Sequence, residues 1–234
     1  MENELNFETY LFINDKKLII CVIRNTTREI IYKEQMILND SFDQLKFKRL
    51  NDFLEKNIFK VEKTLKNFIK NIFVILDSTE FFPIEISIKK ENNGRLINLK
   101  TLSYPLNDLK NLCQSNFQDK KIIHMLIENY RINNNNYSFL PDNLSCDNFS
   151  LDVKFICLPK KLIEELEIIL KRYHILINQV LCASYIENFF DEDNFDVFTT
   201  ASRIVSGHNT NEVLLVNKTL KNKGFFEKFF DFFS

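Results

Sequence analysis

The stretch Tyr10-Leu-Phe-Ile-Asn-Asp-Lys-Lys-Leu-Ile-Ile-Cys-Val-Ile23 contains two apolar runs separated by a short polar turn, Asn14-Asp15-Lys16. Two such runs predict a β-hairpin. Residues 29–38 alternate well enough to predict a third strand, and residues 72–76, Ile-Phe-Val-Ile-Leu, predict a strand buried on both faces. Between these strands, apolar steps of three and four predict a long helix whose inward residues are Leu50, Phe53, Leu54, Ile58, Val61, Leu65, Phe68 and Ile69.

The middle of the chain has a different rhythm, which predicts an inserted group of strands with one helix. Residues 82–89 alternate, and they are expected to meet residues 95–99 in a hairpin across the turn Asn92-Asn93-Gly94. A short helix is expected from Pro105, with three leucines facing inward: Leu106, Leu109 and Leu112. The order of elements places this group after the opening strands and helix.

Two more strands and a helical segment complete the predicted α/β pattern. Residues 122–132 predict one strand, and residues 150–157 predict another that places Leu151, Val153, Phe155 and Cys157 on one face. Pro159 is expected in the first turn of a helix, where proline is favoured. A short strand at residues 175–177 and a helical stretch at residues 180–190 are expected to follow.

Composition and charge exclude several classes of function. The net charge of −1 gives no basic footprint for nucleic acid. The sequence has only three glycines, Gly94, Gly207 and Gly224, so no glycine-rich phosphate-binding loop can be written. The five cysteines are widely spaced with no CxxC pair, which favours reduced thiols over disulfides or zinc. The acidic N-terminal sequence does not resemble a signal peptide, and no apolar run reaches the ~20 residues of a spanning helix.

The residues that could carry catalysis or bind a metal are few and scattered. His124 lies in an apolar run and is expected to be a core residue, whereas His174 follows a helix and is expected at its C-terminal cap. The third histidine, His208, is expected in a loop, and the acidic run Asp191-Glu-Asp193 is expected to be solvated. No histidine or cysteine spacing fits a metal, and no nucleophile has a base beside it by motif. The sequence therefore predicts no catalytic residues, no metal site and no enzyme.

Two motifs and their order resemble FtsA, the actin-like family of bacterial cell division. The run from His124 to Asn133 is similar to a strand of that family and keeps His124 and Tyr130. The run Pro141-Asp-Asn-Leu-Ser-Cys146 is similar to a following family motif and keeps Pro141, Leu144 and Ser145. The opening order strand–strand–strand–helix–strand is also typical of the ribonuclease-H-like subdomain of actin-type proteins. The resemblance covers roughly residues 8–190 and 212–234.

The chain also departs from the family pattern. The family's proline is Ile127 here, and its two glycines are Asn143 and Cys146. The segment 12–18 lacks the glycines with which actin-type ATPases hold a metal and phosphates. Asp15 lies in the turn and is a poor substitute for the family's metal-binding aspartate. Too few residues follow Phe190 for the second nucleotide-binding half. The resemblance therefore implies one half of an actin-like fold, no cofactor and no ATP or other nucleotide site, and it puts direct binding of the FtsZ tail in doubt.

The expected organisation has four parts. Residues 8–77 and 159–190 form a partial actin-like, ribonuclease-H-like α/β subdomain, and residues 78–158 form an inserted strand-helix-strand-strand subdomain. Residues 191–223 are expected to be a strand or linker, within which Glu212-Val-Leu-Leu-Val-Asn217 fits either an edge strand or extended chain. Residues 224–234 are expected to form an amphipathic helix.

The final residues predict a membrane-binding helix. In helical projection six phenylalanines fall within an arc of roughly 160°, with Glu227, Lys228 and Asp231 on the other side. Such a helix can pack on its own domain or lie in a membrane surface. The polar segment before it carries Lys218, where basic residues favour an anionic surface. The residues expected at the membrane are Phe225, Phe226, Phe229, Phe230, Phe232, Phe233, Lys221, Lys223 and Lys228.

Four functional hypotheses follow. The resemblance implies a non-enzymatic FtsA-like division adaptor on the cytoplasmic face of the inner membrane. Its partners would be the inner membrane surface and divisome proteins, among them an FtsA-like or FtsZ-type polymer, with self-association and no nucleic acid. The alternatives are an adaptor of a pilus or secretion assembly resembling PilM or GspL, and a self-packed α/β interaction module without membrane contact. An actin-type phosphotransferase is disfavoured because it needs a glycine-rich phosphate hairpin.

Overall fold

The computed structural model describes residues 7–38, 45–189 and 196–213. These fall into two compact units. Unit 1 comprises the described residues up to Glu80 together with Lys161–Val205, and unit 2 comprises Phe81–Lys160 together with residues 206–213. Unit 2 thus interrupts unit 1 once in sequence, and it also takes in a short segment that follows the last helix.

The described elements alternate between strands and helices along the chain. The strands are β1 (Phe7–Ile13), β2 (Lys17–Arg24), β3 (Ile30–Ile37), β4 (Asn71–Leu76), β5 (Phe82–Leu96), β6 (Lys120–Ile132), β7 (Asn135–Tyr137), β8 (Ser145–Pro159) and β9 (Leu176–Cys182). The helices are α1 (Leu45–Leu65), α2 (Leu99–Asn116), α3 (Lys160–Lys171), α4 (Ala183–Phe189) and α5 (Val197–Val205).

Unit 1 is built on a five-stranded sheet with the order β3-β2-β1-β4-β9. The first three strands pair antiparallel, and β4 and β9 run parallel to β1. The hairpin, the third strand and the buried fourth strand were all predicted from sequence, and the structure confirms them. This order is that of the ribonuclease-H-like subdomain, because the helical crossover after β3 carries β4 to the far side of β1.

Helices cover both faces of the unit 1 sheet. On one face, Phe198, Ala201 and Ile204 of α5 join a core with Tyr10 and Cys21 of the sheet. The other face is covered by α1, whose Asn57 accepts a hydrogen bond from the Tyr32 hydroxyl of β3 at 3.4 Å. The Tyr173 hydroxyl, just after α3, donates to the Asn51 carbonyl of α1 at 3.1 Å, which keeps α1 and α3 on the same side.

Residues 197–205 were expected to be part of a strand or linker, and that prediction was wrong. Phe198, Ala201 and Ile204 are fully buried and spaced by three, so they form one face of a helix on the sheet. Residues 180–190 were also misassigned as a single helix. Strand β9 runs on to Cys182, because Val180, Leu181 and Cys182 pair with β4, and α4 begins only at Ala183.

Helix α1 ends earlier than its apolar pattern predicts. Lys66 takes a left-handed conformation with φ of 51°, which stops the helix after Leu65. Phe68, expected on the inward face, is 73% exposed, whereas Ile69 is buried in the connection to β4. Of the remaining predicted core positions, those from Leu50 to Val61 lie in the helix and are buried, whereas Leu65, its last residue, is half-buried.

Unit 2 is a four-stranded antiparallel sheet with the order β5-β8-β6-β7, and α2 packs on one face. Strand β8 is central, and its alternate residues are buried as predicted: Leu151, Val153, Phe155 and Cys157. They share a core with Leu102, Leu106 and Leu109 of α2. The short strand β7 was not predicted, since the asparagine run before it gives no apolar signal.

The hairpin predicted across Asn92-Asn93-Gly94 does not form. Strand β5 continues through these residues and pairs with β8 on both sides of them, from Phe82↔Cys157 to Leu96↔Ser145. The ladder shifts between Glu91 and Arg95, so the segment is a bulge. Asn93 and Gly94 take positive φ values of 50° and 70°, which a tight turn and a bulge both require.

Helix α2 starts six residues before Pro105, where the sequence predicted its beginning. Asn98 caps the helix, since its side chain accepts from the Thr101 N–H at 3.0 Å and its own N–H donates to the Thr101 hydroxyl at 2.9 Å. Leu106 and Leu109 are buried as expected, but Leu112 is half exposed. Pro159 ends β8 instead of opening a helix, and α3 begins at the next residue.

Candidate functional site

The turn between β1 and β2 is the place where the family resemblance implies a phosphate-binding hairpin. The Asn14 side-chain oxygen accepts the N–H groups of Lys16 and Lys17, at 3.0 and 2.8 Å. The Asn14 amide nitrogen donates to Asp77 Oδ2 at 3.3 Å, just beyond β4. The Asp77 N–H in turn donates to the Ile13 carbonyl at 2.9 Å, which ties the ends of β1 and β4 together.

In this arrangement, a side chain of the turn itself accepts the hydrogen bonds of the turn's backbone N–H groups. A phosphate-binding loop presents several backbone N–H groups to the ligand and needs glycine for close approach. Here the two N–H groups at the tip of the turn already have a side-chain acceptor, and no glycine lies in the turn. Within the described ranges, no group of three or more histidine, cysteine or acidic residues could hold a metal ion. The two N–H groups that a phosphate would need in this turn are therefore already hydrogen-bonded to the Asn14 side chain.

A partly buried polar cluster lies between the unit 1 sheet and α5. The Tyr10 hydroxyl donates to Glu8 at 2.6 Å, and Arg28 donates to the Ser202 hydroxyl of α5 at 2.6 Å. Burial, with the Glu8 carboxylate as a second cause, raises the pKa of Tyr10 well above its usual value. Burial also raises the pKa of the neighbouring Cys21 thiol to about 12. Because the Tyr10 hydroxyl and the Cys21 thiol hold their protons tightly, both are poor nucleophiles.

His124 and Tyr130, the two motif residues of β6, both fix the segment that follows α5. His124 is buried as expected, and its Nδ1 lies 2.7 Å from Oε1 of Glu212, which is also buried. The Tyr130 hydroxyl donates to Asn211 Oδ1 at 3.3 Å, and the Asn211 side chain donates to the Ser138 carbonyl at 2.8 Å. Sequence reasoning missed Glu212, since a single acidic residue in a polar stretch gives no periodic signal.

The backbone of the same segment pairs with β6. The Ile127 N–H donates to the Asn211 carbonyl at 2.9 Å, and the Val213 N–H donates to the Met125 carbonyl at 2.8 Å, around an antiparallel bridge between Leu126 and Glu212. The sequence left open whether residues from Glu212 onward form an edge strand or extended chain. The structure shows edge pairing as far as Val213. The chain beyond it, including the whole set of predicted membrane-binding residues from Lys221 to Phe233, lies outside the described residues.

The other three motif residues shape the loop that leads into β8. Pro141 lies in the loop, and Leu144 packs partly buried against the unit 2 core while its carbonyl accepts from the Ile97 N–H at 2.9 Å. Ser145 opens β8, and its carbonyl accepts from the Asn133 side chain at 3.1 Å. These contacts are structural, and none of the three brings a reactive group to a cleft.

The solvent face of the unit 2 sheet carries a charged network. Ser87 of β5 donates to Asp152 of β8 at 2.6 Å. This hydrogen bond, together with Asn129 and Arg131, holds the pKa of the Asp152 carboxyl below its usual value. Lys154 of β8 lies 3.5 Å from Glu85 of β5 and 3.4 Å from a glutamate of β6. On β5 the polar residues of this face alternate with half-buried isoleucines on the other face, so this face is suited to water or to a polar partner.

The sequence matches no protein-family model and none of the curated proteins. Among solved structures, the PilM–PilN type IV pilus biogenesis complex matches with a TM-score of 0.50 and 6% identity, covering 76% of this chain and 48% of that one. The cytoplasmic domain of EpsL, an inner-membrane component of the Vibrio cholerae type II secretion system, gives 0.40 and 12%, covering 77% and 58%. A Bacteroides thetaiotaomicron protein with an actin-like ATPase fold and unknown function gives 0.33 and 13%, covering 79% and 55%.

The chain therefore spans about half the length of the solved structures that it matches. The likeness to PilM and the strand order of unit 1 show a partial actin-like α/β fold, which confirms the predicted fold class. At such low identity the likeness shows the fold alone. The relation to FtsA in particular stays a prediction. Within the described part of the chain, no helix is long and apolar enough to cross a bilayer.

Proposed function

We propose that this protein is a non-enzymatic, actin-fold adaptor that joins a membrane-associated pilus or secretion assembly through protein–protein contacts. The observation that carries the proposal is the likeness to PilM, which extends over three quarters of this chain. PilM was solved in a complex with PilN of the type IV pilus biogenesis system. The transfer of that role to this chain is an argument from fold analogy, so it needs a direct test.

The β1–β2 turn supports an adaptor over a nucleotide-driven motor. Asn14 occupies the N–H groups of Lys16 and Lys17, which a phosphate would need. Opening those two bonds to admit a nucleotide would cost about 1 kcal/mol each before any contact to phosphate formed. ATP is therefore not a cofactor in this proposal, and binding energy comes from a protein partner.

A second candidate, the division adaptor, rests on different residues. The order of the two motifs, from His124 and Tyr130 to Pro141, Leu144 and Ser145, resembles FtsA. The phenylalanine-rich residues 224–234 also favour it, because adaptors of the pilus type do not usually end in a free amphipathic helix. Both candidates place the protein peripherally on the cytoplasmic face of the inner membrane, with the predicted tail in the lipid surface.

The identity of the partner separates the two candidates. The full chain, carrying a photoreactive amino acid in unit 2, should crosslink in its own cells to an inner-membrane protein of a pilus or secretion system. The purified cytoplasmic segment of that protein should then bind the full chain in lipid-free buffer, which shows direct contact and not shared membrane attachment. Crosslinks to division proteins alone would replace the first candidate by the second. Micromolar binding of Mg-ATP by calorimetry would overturn the nucleotide-free adaptor in either form.

A further inference from the structure

The outer edge of β5 is the longest strand edge in unit 2 that no described segment pairs with. Strand β5 is bonded to β8 on one side, and the sheet order ends there. An open edge presents a row of backbone donors and acceptors, so proteins usually protect it or use it for pairing. The direction of the β5 backbone groups can be worked out from the neighbouring ladders.

The edge of β6 that faces away from β8 bonds the segment after α5. The Val213 N–H donates to the Met125 carbonyl, and the Ile127 N–H donates to the Asn211 carbonyl. The backbone groups of Met125 and Ile127 therefore point away from β8. In an antiparallel ladder, residues opposite such positions also turn their groups away from that partner, because bonded and non-bonded pairs alternate.

The residues of β8 opposite Met125 and Ile127 are Phe155 and Val153. Their backbone groups must point to β5, where they face Ile84 and Ile86. Even-numbered residues of β5 thus bond to β8, and the odd-numbered residues turn their groups to the open edge. Those edge residues are Pro83, Glu85, Ser87 and Lys89. The absence of an N–H on proline fits this outward position.

The open edge is bounded at both ends. Pro83 lacks a donor, and the bulge after Glu91 breaks the ladder at Asn92. The regular window between these limits runs from residue 83 to residue 91, and Ser87 lies at its centre. If two copies of this window pair antiparallel, they overlap along their whole length only when Ser87 faces Ser87. A second copy of the same edge therefore matches the window in length.

The charges select the same register. With Ser87 opposite Ser87 of a second copy, Glu85 of each copy faces Lys89 of the other, and such cross-strand pairs are stabilising. A slip by two residues one way sets Glu85 against Glu91, and a slip the other way sets Lys89 against Pro83. The Glu85 side chain is 68% exposed despite its contact with Lys154, so its carboxylate has room for a second cation.

The buried face continues across the same register. Ile86 of one copy would face Ile88 of the other, and these half-buried side chains already pack against the unit 2 core. We propose that the open edge of β5 pairs antiparallel with the β5 edge of a second copy of this chain, centred on Ser87. The two four-stranded sheets then form one continuous sheet across the dimer. This inference concerns self-association and does not depend on the proposed adaptor partner.

Backbone pairing is tested by two substitutions at one position. Ser87→Pro and Ser87→Ala both remove the hydroxyl that bonds Asp152, but only the proline removes the N–H at the open edge. Sedimentation velocity of the full chain in lipid-free buffer should show a dimer whose dissociation constant lies below about 100 μM. Ser87→Ala should dimerise like the wild type, whereas Ser87→Pro should weaken the dimer at least about tenfold. A monomeric wild type, or a dimer untouched by Ser87→Pro, overturns the proposal.

Charge exchange tests the register and identifies the partner as a second copy. Glu85→Lys and Lys89→Glu each set like charges against each other in the homodimer, and each should weaken it. Mixed in equal amounts, the two variants should form a heterodimer, since every facing pair is again opposite in charge. Association that survives both substitutions arises elsewhere, for example through the terminal phenylalanines, and overturns the proposal. Binding of a foreign extended peptide at this edge, with no heterodimer on mixing, also overturns it.

Discussion

His124 of β6 and Glu212, which lie 88 positions apart in the chain, are both buried and contact each other within unit 2, with Nδ1 and Oε1 2.7 Å apart. The contact brings the segment after α5 back onto a sheet that ends, in sequence, more than forty residues earlier. Both side chains are buried, so the hydrogen bond between them offsets part of the cost of removing them from water.

Removing the Glu212 carboxylate should loosen this segment first and destabilise unit 2 second. Glu212→Ala leaves the His124 Nδ1 without that acceptor, and we expect a loss of about 1–3 kcal/mol in the free energy of unfolding. Glu212→Gln retains an acceptor oxygen and should lose less. Urea unfolding measures the global change, and hydrogen exchange at the Ile127 amide, which donates to Asn211, measures the local one.

The exposed neighbour Thr210 supplies a matched control in the same segment. Thr210→Ala should change the unfolding free energy by less than about 0.5 kcal/mol and should leave the Ile127 amide protected. Equal effects of Thr210→Ala and Glu212→Ala would mean that the segment is held by its backbone alone and that the His124 contact contributes little.

Asn14 should stabilise the β1–β2 turn through its side chain. Asn14→Ala removes the acceptor for the Lys16 and Lys17 N–H groups and the donor to Asp77, so the free energy of unfolding should fall by about 1–2 kcal/mol. The exposed turn residue offers a control, because Asp15→Ala should stay within about 0.5 kcal/mol of the wild type. Thermal or urea unfolding followed by circular dichroism checks both. If Asn14→Ala left the free energy of unfolding unchanged, the main support for a closed turn would be lost.

Stability should fall at alkaline pH because two buried thiols resist ionisation. Burial raises the pKa of Cys21 and of Cys157 from 9.0 to about 12. The folded state therefore holds these protons more tightly than the unfolded chain does. Their stabilising effect is complete below about pH 9 and is lost as the pH rises toward 12, by on the order of 1 kcal/mol per pH unit for each thiol.

Urea unfolding at pH 8, 9 and 10 measures this slope. The double variant Cys21→Ala/Cys157→Ala should be less stable at pH 8, because it loses buried side-chain volume, but its stability should fall less steeply with pH. The same slope in wild type and double variant would show that other groups cause the alkaline loss.

Regular apolar periodicity predicted most of the elements in both units. The burial of Leu151, Val153, Phe155 and Cys157 follows directly from alternation, and the core positions of α1 follow from steps of three and four. The failures arise where one local signal serves two structures. Asn93 and Gly94 favour positive φ, which suits a hairpin turn and a bulge alike, and only the pairing of Arg95 with Cys146 decides between them.

Other features were out of reach because they depend on contacts distant in sequence. The docking of Asn211 and Glu212 on β6 requires the fold of unit 2 to exist first. Helix α2 was placed too late because its capping box, Asn98 with Thr101, follows directly on a strand-like run. The closed β1–β2 turn was anticipated only in part, since the lack of glycine was visible but the two bonds to Asn14 were not.

Asn143 offers a test of the motif that leads into β8. It takes a left-handed conformation with φ of 54°, at a position where the family resemblance places glycine. Asn143→Gly should therefore be tolerated or slightly stabilising, whereas Asn143→Ala should lower the free energy of unfolding by about 1 kcal/mol, since alanine is strained there. Urea unfolding of both variants measures the difference. Equal stability of the two would show that the loop can relax to another conformation.

The predicted membrane attachment can be tested with two substitutions in the terminal phenylalanines. The full chain should sediment with anionic liposomes, and Phe229→Asp/Phe230→Asp should weaken that binding at least about tenfold, because full burial of one phenylalanine is worth ~1.5–3 kcal/mol and both are replaced by charge. Glu227→Gln, on the predicted polar side, is the matched control and should bind at least as well as wild type. Unchanged sedimentation of the Phe229→Asp/Phe230→Asp variant would exclude these phenylalanines from the lipid surface.

Pairing of two chains should strengthen this attachment by avidity, because one such helix binds weakly. Ser87→Pro, which is expected to block the pairing, should therefore reduce liposome binding although it leaves the tail unchanged.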